Sequence, residues 1–366
     1  MQNKQKIDNI FLGIVIAILI IGIFSFTSAS FGVLAKNEVK FAGLLFSQGI
    51  GLLVGLFLMF ICTKIPYKFW RNKAFFFFMF SIVITLLVFV PGLSLEHGGA
   101  RRWINIAGIS FQPVEFLKVS FIFYFAAWLS WVKSRAKEIK FGILPLVIML
   151  GIVAGILLQQ PDTKSIILIF IASTAMLVVS GVPWKYILGA LGIGMLVLTV
   201  FAFTRPYLMK RITTFMDPAQ DLQGSSFQLR QSLIAIGSGG VFGRGLGQSV
   251  QKFTYLPEPQ GDSIFAVIGE EFGLVGTFLI VILYIAFALR GLRIAFRAPD
   301  SFSRLLVVGL VILLLAQSFL NIASIIGLFP LTGVPLVFIS HGGTSLMFSL
   351  AIVGIILNIS KYQNNI

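Results

Sequence analysis

The stretch Gln251-Lys-Phe-Thr-Tyr-Leu-Pro-Glu-Pro-Gln-Gly-Asp-Ser-Ile-Phe-Ala-Val-Ile-Gly-Glu-Glu-Phe-Gly-Leu-Val-Gly276 holds Glu258, Asp262, Glu270 and Glu271, four of the chain's thirteen carboxylates. Leu256 to Gly261 is rich in turn residues. From Ile264 an apolar run continues to Leu289, longer than the roughly 20 residues a membrane-crossing helix needs. Carboxylates at the mouth of such a helix require a partner or a task.

Working outward, nine more apolar runs appear at about 10–30, 42–62, 74–92, 113–132, 141–160, 164–182, 186–203, 305–326 and 343–360. With 57% hydrophobic and 11% charged residues and a mean hydropathy of +0.98, a soluble domain is excluded. A β-barrel would show short alternating segments instead of long runs. The expected fold is all-α: a polytopic integral membrane protein of about ten transmembrane helices, with residues 1–366 forming one membrane domain. Its outer loops are 93–112, 327–342 and a long one, 204–263, between spans seven and eight. That loop is too long for a plain connection, which predicts a function. Lys4 and Lys6 before an apolar run mimic a signal peptide, but the run is long for a signal core and is read as a retained first span.

The net charge of +15 raises nucleic acid as a partner, but the basic residues sit mainly in short loops, where they set orientation. With both termini cytoplasmic, sixteen Lys and Arg fall inside, while the short outer loops keep only Lys36, Lys40, Arg101 and Arg102. Most carboxylates then lie at or near the outer face, where any chemistry belongs. Cys62 is the sole cysteine, so no intramolecular disulfide forms, and His97 and His341 are too few for a histidine metal site.

Candidate site residues follow from these loops. Pro113 marks a helix start and puts Glu115 in its first turn, with Lys118 three residues on; the two are either an ion pair inside the span or part of a site. Arg102 beside Trp103 is an interfacial anchor or an anion-binding fork. Asp162 is a helix cap or a loop acid of the site. Arg205, Lys210 and Arg211 make the start of the long loop basic, as a headgroup anchor would be. Gln231 and Ser232 precede a glycine series from Gly239 to Gly247 that lacks the Gly-Lys-Ser/Thr ending of a phosphate loop. The segment 327–345, with Ser340, Gly342 and Gly343, is punctuated by Gly and Pro and reads as re-entrant, closing the same space. Asp262 stands at the N-cap position of the eighth span. Asp262, Ala266 and Glu270 then share a helical face, with the two acids roughly 12 Å apart. That exceeds the ~5–9.5 Å of paired glycosidase carboxylates, so one base at the rim fits better than an acid–base pair. Glu270 and Glu271 are expected to be structural partners for cations.

Residues 97–118 resemble the Gly-Ala-x-Arg-Trp-Ile…Gln-Pro-Ser-Glu-x-x-Lys signature of the SEDS family, the proteins of cell shape, elongation, division and sporulation (the FtsW, RodA and SpoVE family). Residues 228–276 resemble its Gln-x-x-Gln-Ser-Leu-Ile-Ala-Ile-Gly-Ser-Gly-Gly…Leu-Pro-Glu…Asp-x-Ile-Phe-Ala-Val-Ile-Gly-Glu-Glu block, and 330–345 its closing Ser-x-Gly-Gly segment. Gly245 to Lys252 looks more like the division branch than the elongation branch.

The resemblance implies a peptidoglycan glycosyltransferase that polymerises lipid II on the outer face of the bacterial cytoplasmic membrane. It would release undecaprenyl diphosphate and work beside a class B penicillin-binding protein and other division-complex membrane proteins. It places Asp262 at the family's essential aspartate and Arg102, Glu115, Lys118 and Asp162 at other family-typical polar positions; Arg101, Trp103, Gln112, Arg205, Lys210, Arg211, Gln231, Ser232, Lys252, Glu258, Ser340, Gly342 and Gly343 are the further candidates for binding lipid II and the undecaprenyl-linked glycan chain. It also admits a divalent cation, Mg or Mn. Four departures stand out: Val114 for the usual Ser, Thr163-Lys164-Ser165 for Leu/Phe-Gly-Thr, Gly261 and Ser263 around Asp262, and His341 where Tyr is common. Lys164 puts a cation beside Asp162. The rival readings are a lipid II flippase, an elongation-type polymerase, and a non-catalytic scaffold.

Overall fold

The computed structural model describes residues 6–35, 37–97, 100–106, 109–204, 206–216 and 225–363. In chain order the elements are α1 (Asn9–Leu34), α2 (Glu38–Lys64), α3 (Tyr67–Leu86), β1 (Ser94–His97), β2 (Ala100–Ile106), β3 (Ile109–Phe111), α4 (Pro113–Val132), α5 (Ile143–Gln159), α6 (Thr163–Val179), α7 (Trp184–Thr204), α8 (Pro206–Met216), α9 (Ser225–Ser238), α10 (Gln251–Thr254), α11 (Ile264–Phe296), α12 (Ser301–Ile325) and α13 (Gly343–Ser360). Among the described residues, eight helices are long and apolar enough to cross a membrane. α5 and α6, at 17 residues each, are apolar but sit at the short limit of a crossing helix. An apolar helix therefore stands at each of the ten expected positions, two of them short.

α4, α12 and α13 are largely buried, whereas α2 and α7 expose most of their apolar side chains. In a bilayer such faces meet lipid, and the buried centre is left to helix-on-helix packing. Glycine sets the tightest seam. A Cβ on Gly51 of α2 would lie 2.5 Å from the Cα of Gly343, and one on Gly354 of α13 would lie 2.4 Å from the Met59 carbonyl. Two helices meeting at such distances need small residues at the contact.

The structure adds detail to two outer loops and corrects one expectation. Loop 93–112 carries a three-stranded antiparallel sheet in the order β1-β2-β3, pairing Ser94 with Ile104 and Ile104 with Phe111. Among the β2 side chains that the structure describes, only Ile104 is buried, so strands this short leave little trace in a hydropathy scan. The long loop 204–263 contains helices α8, α9 and α10. And Asp262 is not a helix cap: α11 begins one residue later, with Ser263 at its N-cap, so Asp262 and Glu270 do not share one helical face.

The glycine series has a defined place. α11 breaks at Gly273, whose φ of 63° and ψ of −158° are not helical. The turn 240–245 lies against the break. The amides of Arg244 and Gly245 donate to the carbonyls of Glu270 and Glu271, and those of Leu274 and Val275 donate to Gly240 and Val241, all at 2.9–3.1 Å. The broken helix thus keeps its polar backbone satisfied. A Cβ on Gly273 would stand 2.4 Å from the Gly243 nitrogen, so glycine is required on both sides.

Candidate functional site

The N-terminal ends of α2, α6 and α13, the sheet, α8 and the segments 258–262 and 332–342 enclose a cavity of about 640 Å³. Helix N-termini carry partial positive charge, so the space favours anions. It is lined by four cations, Lys40, Arg102, Lys164 and Arg211, against two carboxylates, Glu258 and Asp262.

The backbone around Asp262 is pinned. Asn321 Nδ2 donates to the Asp262 carbonyl at 2.9 Å and to the Val334 carbonyl at 2.7 Å. Ser340 Oγ donates to the Gly261 carbonyl at 2.8 Å, and the His341 amide donates to the Gln260 carbonyl at 2.7 Å. α12 and the 327–342 segment thereby fix the carboxylate's position against Gly333. Asp262 Oδ2, Arg211 Nη2 and Lys164 Nζ lie 3.2, 3.9 and 4.0 Å from the point a Cβ on Gly333 would occupy. Lys164 also donates to the Gly333 carbonyl, and Arg211 Nη1 to the Thr332 carbonyl at 3.0 Å. One carboxylate held among cations can receive a proton while the cations meet an anionic group beside it.

Of the expected site residues, the cavity lining brings together Asp262, Arg102, Trp103, Gln112, Arg211, Glu258, Gly342 and Gly343. Arg102 spends two donors on the structure, Nε on the Gln160 carbonyl at 2.9 Å and Nη2 on the Pro161 carbonyl, so it orders the turn before α6 as well as facing the cavity. Arg205 and the side chain of Lys210 lie outside the described residues.

The other expected residues stand elsewhere. Asp162 is the N-cap of α6, its carboxylate taking a hydrogen bond from Ser165 Oγ at 2.9 Å, and it is buried off the lining. Glu115 and Lys118 form a buried 2.9 Å ion pair. Lys118 also donates to Gln317 Oε1 at 3.0 Å, and Gln317 Nε2 donates to Ser345 Oγ and the Pro335 carbonyl, both at 3.3 Å. The pair therefore supports the cavity wall from behind. Lys252 has no exposed surface; it bonds Glu271 at 2.6 Å and Ser28 Oγ at 2.8 Å, so it ties α10 to α11 and α1 and does not reach the cavity. Glu270 accepts from Ser249 Oγ at 2.6 Å and the Val250 amide at 3.1 Å, and lies 3.4 Å from Arg244. Ser232 turns to the Gln228 carbonyl, and Arg101, Gln231 and Ser340 are also off the lining.

Sequence reasoning missed Lys164, Gly333, Thr332 and Gln260 as site residues, and His341 had only its departure from Tyr to mark it. The departure at Lys164 was the available signal. His341 stacks on Phe26 at 5.9 Å, and burial pushes its imidazole down to about 4, so it is neutral at pH 7. As for a metal, no three His, Cys, Asp or Glu side chains come together among the described residues. The cavity's two carboxylates share it with four cations, a donor set that does not fit a resident divalent ion.

Comparison with known proteins gives the family of the chain. A family model described as "Cell cycle protein", for FtsW, RodA and SpoVE, matches residues 8–365. The chain is 37% identical to a "Probable peptidoglycan glycosyltransferase FtsW" of Geobacter sp. strain M18, covering 98% of each chain. It is 37% identical to stage V sporulation protein E of Bacillus subtilis strain 168, over 90% of this chain and 87% of that one. Among solved structures it matches a chain of a peptidoglycan synthase complex that coordinates polymerization and crosslinking (TM-score 0.80, 26% identity, 98% and 99% covered). It also matches the rod shape determining protein RodA of Thermus thermophilus (TM-score 0.71, 26% identity, 98% of each chain).

Proposed function

The chain belongs to the FtsW, RodA and SpoVE family, and from that premise we propose that it is a peptidoglycan glycosyltransferase that polymerises lipid II for the division septum. The observation that carries the proposal is Asp262, pinned through its backbone with its carboxylate in a cation-lined cavity at one end of an apolar helix bundle. A sugar hydroxyl of the acceptor attacks the anomeric carbon of the donor. The new C–O bond forms as the bond to the lipid diphosphate breaks, the hydroxyl proton passes to the Asp262 carboxylate, and undecaprenyl diphosphate leaves. The leaving group is already a good one, so no matched carboxylic acid is needed; Arg102, Lys164 and Arg211 meet its charge.

The lipid tail lies among the spans, which is why a sugar-transferring site is built into a membrane protein. We place the cavity on the extracytoplasmic side and both termini in the cytoplasm, on the strength of the basic-residue asymmetry between loops. The partner is a class B penicillin-binding protein that crosslinks the nascent glycan, with other division-complex membrane proteins around the pair. A transporter would carry its site near the midplane between repeated halves; here four cations and two carboxylates line one cavity at the helix N-terminal ends, and the buried pairs Glu115–Lys118 and Lys252–Glu271 are tied to neighbouring side chains. Purified protein given labelled lipid II, with and without its partner, separates the readings. Glycan product supports the polymerase, and label crossing vesicle membranes without product contradicts it.

A further inference from the structure

Lys164 occupies a place that the family signature gives to glycine, and the structure turns this departure into the site. It opens the first turn of α6, lines the cavity, and hydrogen-bonds the Gly333 carbonyl. An ammonium carries three donors, and Gly333 accounts for one. Arg211 reaches the same point from α8, and Asp262 from the turn before α11, so three elements far apart in sequence deliver charges to within 4.0 Å of one position. Glu258 is the other carboxylate of the lining, and the remaining cations there are Lys40 and Arg102.

A diphosphate is the ligand chemistry that matches two fixed cations beside one carboxylate. Arg offers a planar fork for phosphate oxygens and Lys a compact point charge. The carboxylate repels the leaving anion from its own position and remains open to the attacking hydroxyl. The same arrangement leaves a divalent ion few ligands: Asp262 shares its position with Lys164 and Arg211, Glu258 accepts a hydrogen bond from Gln260 Nε2 at 2.9 Å, and no three His, Cys, Asp or Glu side chains come together among the described residues.

We propose that Lys164 and Arg211 form a diphosphate clamp beside Asp262 that neutralises the lipid diphosphate without a divalent cation. The proposal rests on the polymerase reading above. It assigns Lys164 a direct contact with the substrate that a glycine at this position cannot make, and it predicts that this chain tolerates metal removal.

The test is binding of undecaprenyl diphosphate to the detergent-purified full chain in EDTA, with undecaprenyl monophosphate as the comparison. Wild-type protein is expected to bind the diphosphate in EDTA with little change on adding Mg or Mn. K164M is expected to lose about tenfold in affinity, the effect of removing one charge-assisted contact, with a smaller loss for the monophosphate, and K164R to retain most of it. K164R also guards against a misfolded variant, since it keeps the charge and the length. Wild-type binding that disappears in EDTA and returns with Mg overturns the proposal, as does a folded K164M that binds both lipids like wild type. Failure of the polymerase reading looks different: wild-type protein makes no glycan with Mg present, whatever Lys164 does to binding.

Discussion

Oδ2 of Asp262 lies 3.2 Å from the point that a Cβ on Gly333 would occupy, and Gly333 itself has a φ of +67°. Any side chain at 333 therefore pushes into the carboxylate and also carries the strain of a left-handed backbone, about 1–2 kcal/mol for a non-glycine residue. Gly333→Ala is expected to lower lipid II polymerisation at least tenfold. Gly240→Ala is the control: its φ of +56° brings similar strain, but nothing lies within 4 Å of its added Cβ. It should lose comparable thermal stability in detergent and keep most activity.

The Lys252–Glu271 pair is expected to act on stability. Both side chains are buried and Ser28 bonds to each. Lys252→Met leaves the Glu271 carboxylate unpaired, a change that costs about 3–5 kcal/mol in buried pairs. Thermal unfolding should show a large drop, partly recovered in Lys252→Met with Glu271→Gln. The protein that remains folded should show an unchanged KM for lipid II, because Lys252 does not reach the cavity.

His341 gives a pH dependence with a defined sign. Its imidazole is held at about 4, below the ordinary 6.5, so between these values the unfolded chain takes up a proton that the folded chain resists. Stability is therefore lost as pH falls from 6.5 toward 4, by roughly 1–3 kcal/mol at the acid end. Unfolding curves across this range should flatten in His341→Phe, which keeps a ring against Phe26.

Orientation is open to a direct label. Cys62 is buried, so the native background for a membrane-impermeant maleimide is low. Lys40→Cys, at the cavity, should label on intact cells. Lys137→Cys, in the basic segment after α4, should label only after the membrane is opened.

The apolar helices were legible because hydropathy is a property of long runs, and Asp262 stood out as a carboxylate placed where a membrane helix begins. What escaped the sequence depends on partners. Lys252 looks like a loop cation until Glu271 and Ser28 are seen around it, and Asp162 has two plausible tasks until Ser165 takes its carboxylate. Asp262 reads as a cap because the turn that shifts the start of α11 by one residue is set by Asn321, Ser340 and His341, all distant in the chain. Gly333 carries no side chain to notice; its importance comes from the three charges that surround it. The strands of 94–111 are too short to show a period against the neighbouring spans.

The most direct measurement is polymerisation of purified lipid II by Asp262→Asn protein whose folding has been verified by its thermal transition. Asparagine keeps the size and the backbone contacts of Asp262 but takes no proton from the attacking hydroxyl. The expected result is loss of glycan product by at least 100-fold, within the 10²–10⁴ range of general base catalysis, with lipid binding retained. Polymerisation at the wild-type rate by the folded variant would contradict the assignment of Asp262 as the base.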